Sequence, residues 1–144
     1  MEAKKLSGTR ARLVVRFTVT HGFINLAGIL LGGAQASIHD VCTTWAVLIL
    51  RRPGFWDQEA GSSRTLAVTF LRPAKEGEVL LEECEVRTPS RRIVLSTRSR
   101  ISQVVQAGKR LALIRATMKR ESDGAVISTC EHNKYHTDGD KARM

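Results

Sequence analysis

Between Ala11 and Thr20 apolar and polar residues alternate: Leu13, Val15, Phe17 and Val19 fall on one side, Arg12, Arg16, Thr18 and Thr20 on the other. A period of two with β-branched residues predicts a strand with one solvated face. From Gly33 to Leu50 the period changes. Ile38, Val41, Cys42, Trp45, Leu48 and Ile49 recur at the i, i+3, i+4, i+7 spacing of a helix, and this apolar stripe is expected against the core. At about 100° per residue, Asp40 lies on nearly the opposite side, with Ala36, Thr43, Thr44 and Val47. That second face is small and mildly polar rather than charged, which suits a helix that packs on its own sheet and also meets a second surface. Pro53 and Gly54 stop the helix and open a loop reaching Ser63. Strands are predicted over 64–71, 78–86, 109–119 and 125–135, separated by the turn-forming stretches "RPAKEG" and "RESDG". Residues 1–10 and 136–144 read as flexible ends. One strand, one long helix and a run of antiparallel strands make an α+β domain, with a strongly curved sheet wrapped around the helix.

Composition narrows the function. The chain of 144 residues is long enough for one self-supporting core. Its net charge of +9 attracts polyanions: nucleic acid, anionic lipid or a phosphorylated small molecule. Much of the excess sits in 87–104, where Arg87, Arg91, Arg92, Arg98 and Arg100 occur without an acid. Aromatic residues are only 5% and no stacking motif is present, which argues against a nucleic-acid binder. Cys42, Cys84 and Cys130 are widely spaced and odd in number, so neither a disulfide framework nor a zinc knuckle is expected. They read as small buried hydrophobes in a reducing compartment, the cytoplasm or the mitochondrial matrix. The N-terminus lacks the apolar stretch of a secretory signal, and no apolar run is long enough for a membrane span. His132 and His136 are spaced like helical metal ligands but fall on a strand and a tail, so no metal is expected.

The stretch "LAGILLGGAQASIHDVCTT" at the strand-to-helix joint, with the order of elements around it, resembles the hotdog-fold acyl-CoA thioesterases, in particular the phenylacetate-pathway and long-chain acyl-CoA branch. In that family an Asn precedes the His of a His-Gly-Gly by six residues, an Asp follows that His by nine, and a Ser stands ten before a Pro. Here Asn25, Leu31-Gly32-Gly33, Asp40 and Ser63, ahead of Pro73, stand at those spacings. The resemblance implies a site built across a dimer, or within a tetramer of such dimers. Asp40 is then general base or nucleophile and the Gly32 N–H the oxyanion donor. Asn25 holds the thioester or water, and Ser63 holds the carboxylate or water. Leu31 and Gly33 line the approach. Lys109, Arg110, His132 and Lys134 match positions where relatives contact the nucleotide end of coenzyme A. No cofactor is implied beyond the coenzyme A carried by the substrate. The chain departs from the family at Leu31, which replaces the His, and at 87–104, which has no counterpart and reads as an insertion. Leu31 motivates an alternative: a hotdog protein with weakened or lost hydrolysis, or one tailoring or dehydrating carrier-bound acyl groups.

Overall fold

The computed structural model describes residues 1–7, 10–53, 56, 61–87 and 111–136. The described residues form strands β1 (Glu2–Ser7) and β2 (Arg10–Thr18), helix α1 (Gly32–Leu48), and strands β3 (Ser62–Phe70), β4 (Val79–Arg87), β5 (Leu111–Arg120) and β6 (Val126–Tyr135). All pairings are antiparallel, and the sheet runs β1-β2-β4-β5-β6-β3 with α1 laid across one face. The predicted α+β architecture is therefore present. Beyond Arg87, the segment read as an insertion lies outside the described residues, as do Lys109, Arg110 and the tail from residue 137.

Strand alternation separates the two faces of the sheet. Leu13 of β2, Leu80, Cys84 and Val86 of β4, and Ala112, Ile114 and Met118 of β5 point toward the helix and are buried. Each large apolar side chain so buried contributes about 1.5–3 kcal/mol. The opposite face carries charge pairs across neighbouring strands, such as Arg12–Glu83 at 3.3 Å, Lys119–Glu83 at 3.0 Å and Arg115–Glu131 at 2.7 Å. These exposed pairs keep the outer face wet and add little stability.

Two expectations are corrected. Residues 2–7, read as part of a flexible N-terminus, form strand β1 on β2, with Ala3 opposite Leu13. Met1 and Ala3 lie beside Leu13, Trp45, Leu48 and Ile49, too few apolar positions for a visible period. The helix is also rotated from the expected orientation. Its buried residues are Gln35, His39, Cys42, Thr43, Ala46 and Val47, while Val41 and Trp45 of the apolar stripe are 43% and 44% exposed.

The physical reason is a row of polar partners on the sheet. His39 Nδ1 lies 2.6 Å from Glu82 Oε1 and its Nε2 2.9 Å from Ser128 Oγ, with His39, Glu82 and Ser128 all fully buried. One helical turn away on either side, Gln35 Nε2 donates to the Leu30 carbonyl and Thr43 bonds His132. Leaving these groups unpaired would be costly, so the bonds favour this rotation of the helix, with Gln35 Oε1 and Glu82 Oε2 left without a partner among the described residues. That rotation turns Asp40 toward β3 and leaves Ile38, Val41 and Trp45 along an open apolar groove with Phe17, Val19 and Phe23.

Candidate active site

Asp40 stands in the middle of α1, and Ser63 is the second residue of β3, in the strand rather than the preceding loop. Ser63 Oγ donates to Asp40 Oδ1 at 3.0 Å. Beneath them, His132 Nε2 lies 2.9 Å from Ser63 Oγ and 3.3 Å from Asp40 Oδ1. The other ring nitrogen, Nδ1, is 2.6 Å from Thr43 Oγ1. Lys134 Nζ donates to Thr44 Oγ1 at 2.9 Å and, more weakly, to Ser63 Oγ at 3.4 Å. The Asp40 side chain is 44% exposed while His132 is fully buried, so the carboxylate faces open space over a closed floor.

The floor comes from β6. Period two places Ser128, Cys130, His132 and Lys134 in one inward row. His132 and Lys134, expected at the nucleotide end of coenzyme A, are instead turned under the helix. Lys134 is 3% exposed. Burial drives its ammonium below the ordinary lysine range, with Asp40 opposing. Burial also holds His132 down to about 4, reinforced by Lys134 and opposed by Asp40. The imidazole is therefore neutral near pH 7. Nδ1 shares the Thr43 hydroxyl with the His39 carbonyl, which Thr43 Oγ1 reaches at 2.5 Å, and Nε2 faces both Ser63 Oγ and Asp40 Oδ1.

This arrangement is not a nucleophilic serine triad. Such a triad needs the carboxylate on the nitrogen remote from the serine. Here Asp40 and Ser63 share Nε2, and Nδ1 faces Thr43. Asp40 is instead a carboxylate oriented by a hydroxyl, with its second oxygen free for water or substrate.

The lowered His132 value has a stability consequence. The unfolded imidazole takes up a proton near pH 6.5, whereas the folded one resists until about 4. Stability therefore falls as pH drops through that window, by up to about 3 kcal/mol. Urea unfolding between pH 7 and pH 4 should show the slope, and His132→Gln should flatten it; an equal slope in both proteins would contradict this assignment.

The second cluster surrounds the start of α1. Leu31, 42% exposed, occupies the N-cap without a side-chain cap bond. Gln35 N–H is the first to bond back, to the Leu31 carbonyl. The N–H groups of Gly32 and Gly33 find no partner among the described residues and sit at the positive end of the helix dipole. The two glycines differ in their surroundings. A Cβ on Gly32 would stand 3.3 Å from the Phe70 ring, so its bareness accommodates β3 rather than a substrate. A Cβ on Gly33 would meet nothing within 4 Å, so only Gly33 leaves open space.

Asn25 closes the preceding loop. Its Oδ1 accepts the N–H groups of Ala27 at 2.9 Å and Ile29 at 3.1 Å, around Gly28 at φ 72°. Those two donors identify the amide oxygen and leave Nδ2 free to donate outward.

The three cysteines are buried and free. Burial, reinforced by Glu82, pushes Cys42 and Cys130 up to about 12 and Cys84 higher still, so none is a ready thiolate. Sequence reasoning did not find Thr43, Thr44 or the His39–Glu82–Ser128 set. The i, i+4, i+8 spacing of Gln35, His39 and Thr43 was the available signal.

Solved structures share this architecture. Thioesterase superfamily member 2 of zebrafish superposes with a TM-score of 0.67 at 22% identity, covering 93% of this chain and 79% of that one. The chain has the hotdog fold. Two other hotdog structures are similar. The PaaI protein of the Escherichia coli phenylacetic acid degradation operon has a TM-score of 0.64 at 19% identity, over 89% of this chain and 72% of that one. A hypothetical thioesterase of Streptococcus pneumoniae, solved with coenzyme A, has a TM-score of 0.66 at 18% identity, over 94% and 84%. By sequence, a Caenorhabditis elegans protein named "Putative esterase" is 30% identical over 125 residues. That match covers 86% of this chain, which spans 60% of the length of the relative. No family model matches the chain.

Proposed function

We propose that this hotdog protein hydrolyses an acyl thioester of coenzyme A or of an acyl carrier to a carboxylate and a free thiol. The carrying observation is the Asp40–Ser63–His132 cluster: a half-exposed carboxylate held by a serine above a buried neutral imidazole. The hotdog neighbours described as thioesterases, one of them bound to coenzyme A, support the substrate class. Asp40 acts as general base toward water, or attacks the carbonyl itself. The unpaired Gly32 N–H, with Asn25 Nδ2, receives the carbonyl oxygen as it gains charge. Gly33 and Leu31 border the approach, and Lys109 and Arg110 are assigned to the nucleotide end of the carrier.

These two halves do not meet within one chain. Gly32 and Asp40 are eight residues apart on one helix, roughly 12 Å along its axis at 1.5 Å per residue. A reacting carbonyl needs both within hydrogen-bond reach, directly or through one water. The site is therefore completed by a second copy that brings its own Asp40 to the helix start of the first. The exposed Val41, Trp45, Phe23, Phe70 and Leu71 and the unpaired edge of β3 offer the surface for it.

Leu31 places an apolar group at the rim where a polar one could orient the thioester. The test is thiol release over a panel of acyl-CoA esters. The wild type should release thiol, and Leu31→His should raise kcat/KM by about tenfold or more. Absence of release from every ester in the wild type would defeat the hydrolase reading. Activity created only by Leu31→His would identify a hotdog protein that has lost hydrolysis.

A further inference from the structure

The Thr43 hydroxyl, fully buried on α1, brings one hydrogen to three polar neighbours: the His39 carbonyl at 2.5 Å, the Asp40 carbonyl at 3.1 Å and His132 Nδ1 at 2.6 Å. A carbonyl can only accept, so the hydroxyl hydrogen stays on the helix, and toward the ring Thr43 Oγ1 offers a lone pair. The single proton of the neutral imidazole therefore stands on Nδ1, and Nε2 is an acceptor. On that side Ser63 has one hydrogen for two acceptors, Nε2 at 2.9 Å and Asp40 Oδ1 at 3.0 Å. An ionised carboxylate accepts more strongly than a neutral ring nitrogen, so in the resting site the hydrogen lies on Asp40 and Nε2 keeps a lone pair. The charged groups that act on His132 are Asp40 from α1 and Lys134 from its own strand. Around the ring, β3 supplies Ser63 and, in register, Leu66; β5 supplies Ile114; the Glu82 carboxylate of β4 is bound by His39.

We propose that Thr43 and His132 are positioning residues for the base: Thr43 holds the ring proton on Nδ1, and the lone pair left on Nε2 takes the Ser63 hydrogen when Asp40 is protonated. In the hydrolytic step the water O–H bond breaks, its proton goes to the open oxygen of Asp40, and the water oxygen bonds the thioester carbon. The neutral carboxyl then holds the Ser63 hydrogen less strongly, and the hydroxyl turns to Nε2 with no heavy atom moving. The bond gained at Nε2 exists only after the proton has arrived, so it favours the transfer. A proton on Nε2 would do the opposite, because it would donate to the ionised Asp40 and hold it in that form. This inference deepens the hydrolase reading and rests on it for its kinetic consequences, while the ring tautomer stands apart from turnover.

The experiment compares Thr43→Val and Thr43→Ser with the wild type. Valine keeps the buried shape without the hydroxyl, and serine keeps the hydroxyl. 15N spectra of the His132 ring at pH 7 read the tautomer without any substrate. The wild type and Thr43→Ser should carry the proton on Nδ1, and an Nε2–H population should appear in Thr43→Val. A wild-type proton on Nε2, or an unchanged tautomer in Thr43→Val, would overturn the inference even if no ester were hydrolysed. If the valine variant does not fold, the wild-type tautomer still decides. In the thiol-release assay, Thr43→Val should lower kcat about tenfold with KM little changed. The acid limb of its pH profile should move to lower pH, because an Nε2–H stabilises ionised Asp40. Thr43→Ser should keep the wild-type kcat and acid limb. A limb that does not move, a raised KM with unchanged kcat, or Thr43→Ser as slow as Thr43→Val would each overturn the proposal. A wild type that releases no thiol yet shows the expected spectra would defeat the hydrolase reading alone.

Discussion

Asp40→Asn is expected to lower thiol release by about 100- to 10,000-fold, the range associated with losing a positioned acid or base. The substitution is nearly isosteric. Its remaining oxygen can still accept from Ser63, so the hydroxyl stays in place while the basic oxygen is lost. The side chain is 44% exposed, its one further polar neighbour among the described residues is His132 Nε2 at 3.3 Å, and the Asp40 backbone carbonyl keeps its bond from Thr44 Oγ1, so the fold should persist. Circular dichroism and urea unfolding of the variant check that point. Release as fast as the wild type would remove Asp40 from the chemistry.

The second large effect concerns stability. Within the fully buried pair of His39 and Glu82, replacing one partner alone, as in Glu82→Leu or His39→Leu, should cost about 3–5 kcal/mol by stranding the other. Replacing both should cost much less than the sum, because neither member of the pair is left stranded; Ser128 keeps its contact with Met118 Sδ at 3.9 Å, and Cys84 loses only its long bond to Glu82 at 3.8 Å. Domains of this size have only about 5–15 kcal/mol in total, so either single change should be visible in urea midpoints. The pair also has a consequence for the site, since it fixes the helix rotation that points Asp40 at Ser63. Single variants costing under about 1 kcal/mol would mean that the rotation is set elsewhere.

The elements were legible in the chain because their periods are regular. The alternation of Leu13, Val15 and Phe17 and the helical spacing from Ile38 to Leu48 lie on the elements they predict. The orientation of α1 was not legible. Hydrophobic periodicity assumes that the most apolar stripe faces the sheet, whereas here Gln35, His39 and Thr43 face it because Glu82, Ser128 and His132 wait on the strands. A strand row such as Ser128, Cys130, His132 and Lys134 carries no apolar alternation, so its inward face was hidden in the sequence. The resemblance implies roles for Asp40 and Ser63, and the fold brings the two side chains together across 23 positions of chain. His132 and Lys134 lie buried under the helix, a placement that only the packing decides. The bare Gly32 likewise had its explanation in Phe70, far along the chain on β3.

The central claim is that one copy supplies Asn25 and Gly32 while another supplies Asp40, and complementation tests it most directly. Asn25→Asp keeps the oxygen that holds the loop and removes the outward donor; Asp40→Asn removes the base. Each variant alone should be strongly impaired. Unfolded together in equal amounts and refolded, they should pair at random, so that about half of the dimers are mixed and each mixed dimer holds one intact site of two. About a quarter of the wild-type thiol release should return. Release no greater than the average of the two separate variants, with mixed dimers shown to form by native mass spectrometry, would contradict a shared site and return the chemistry to a single chain.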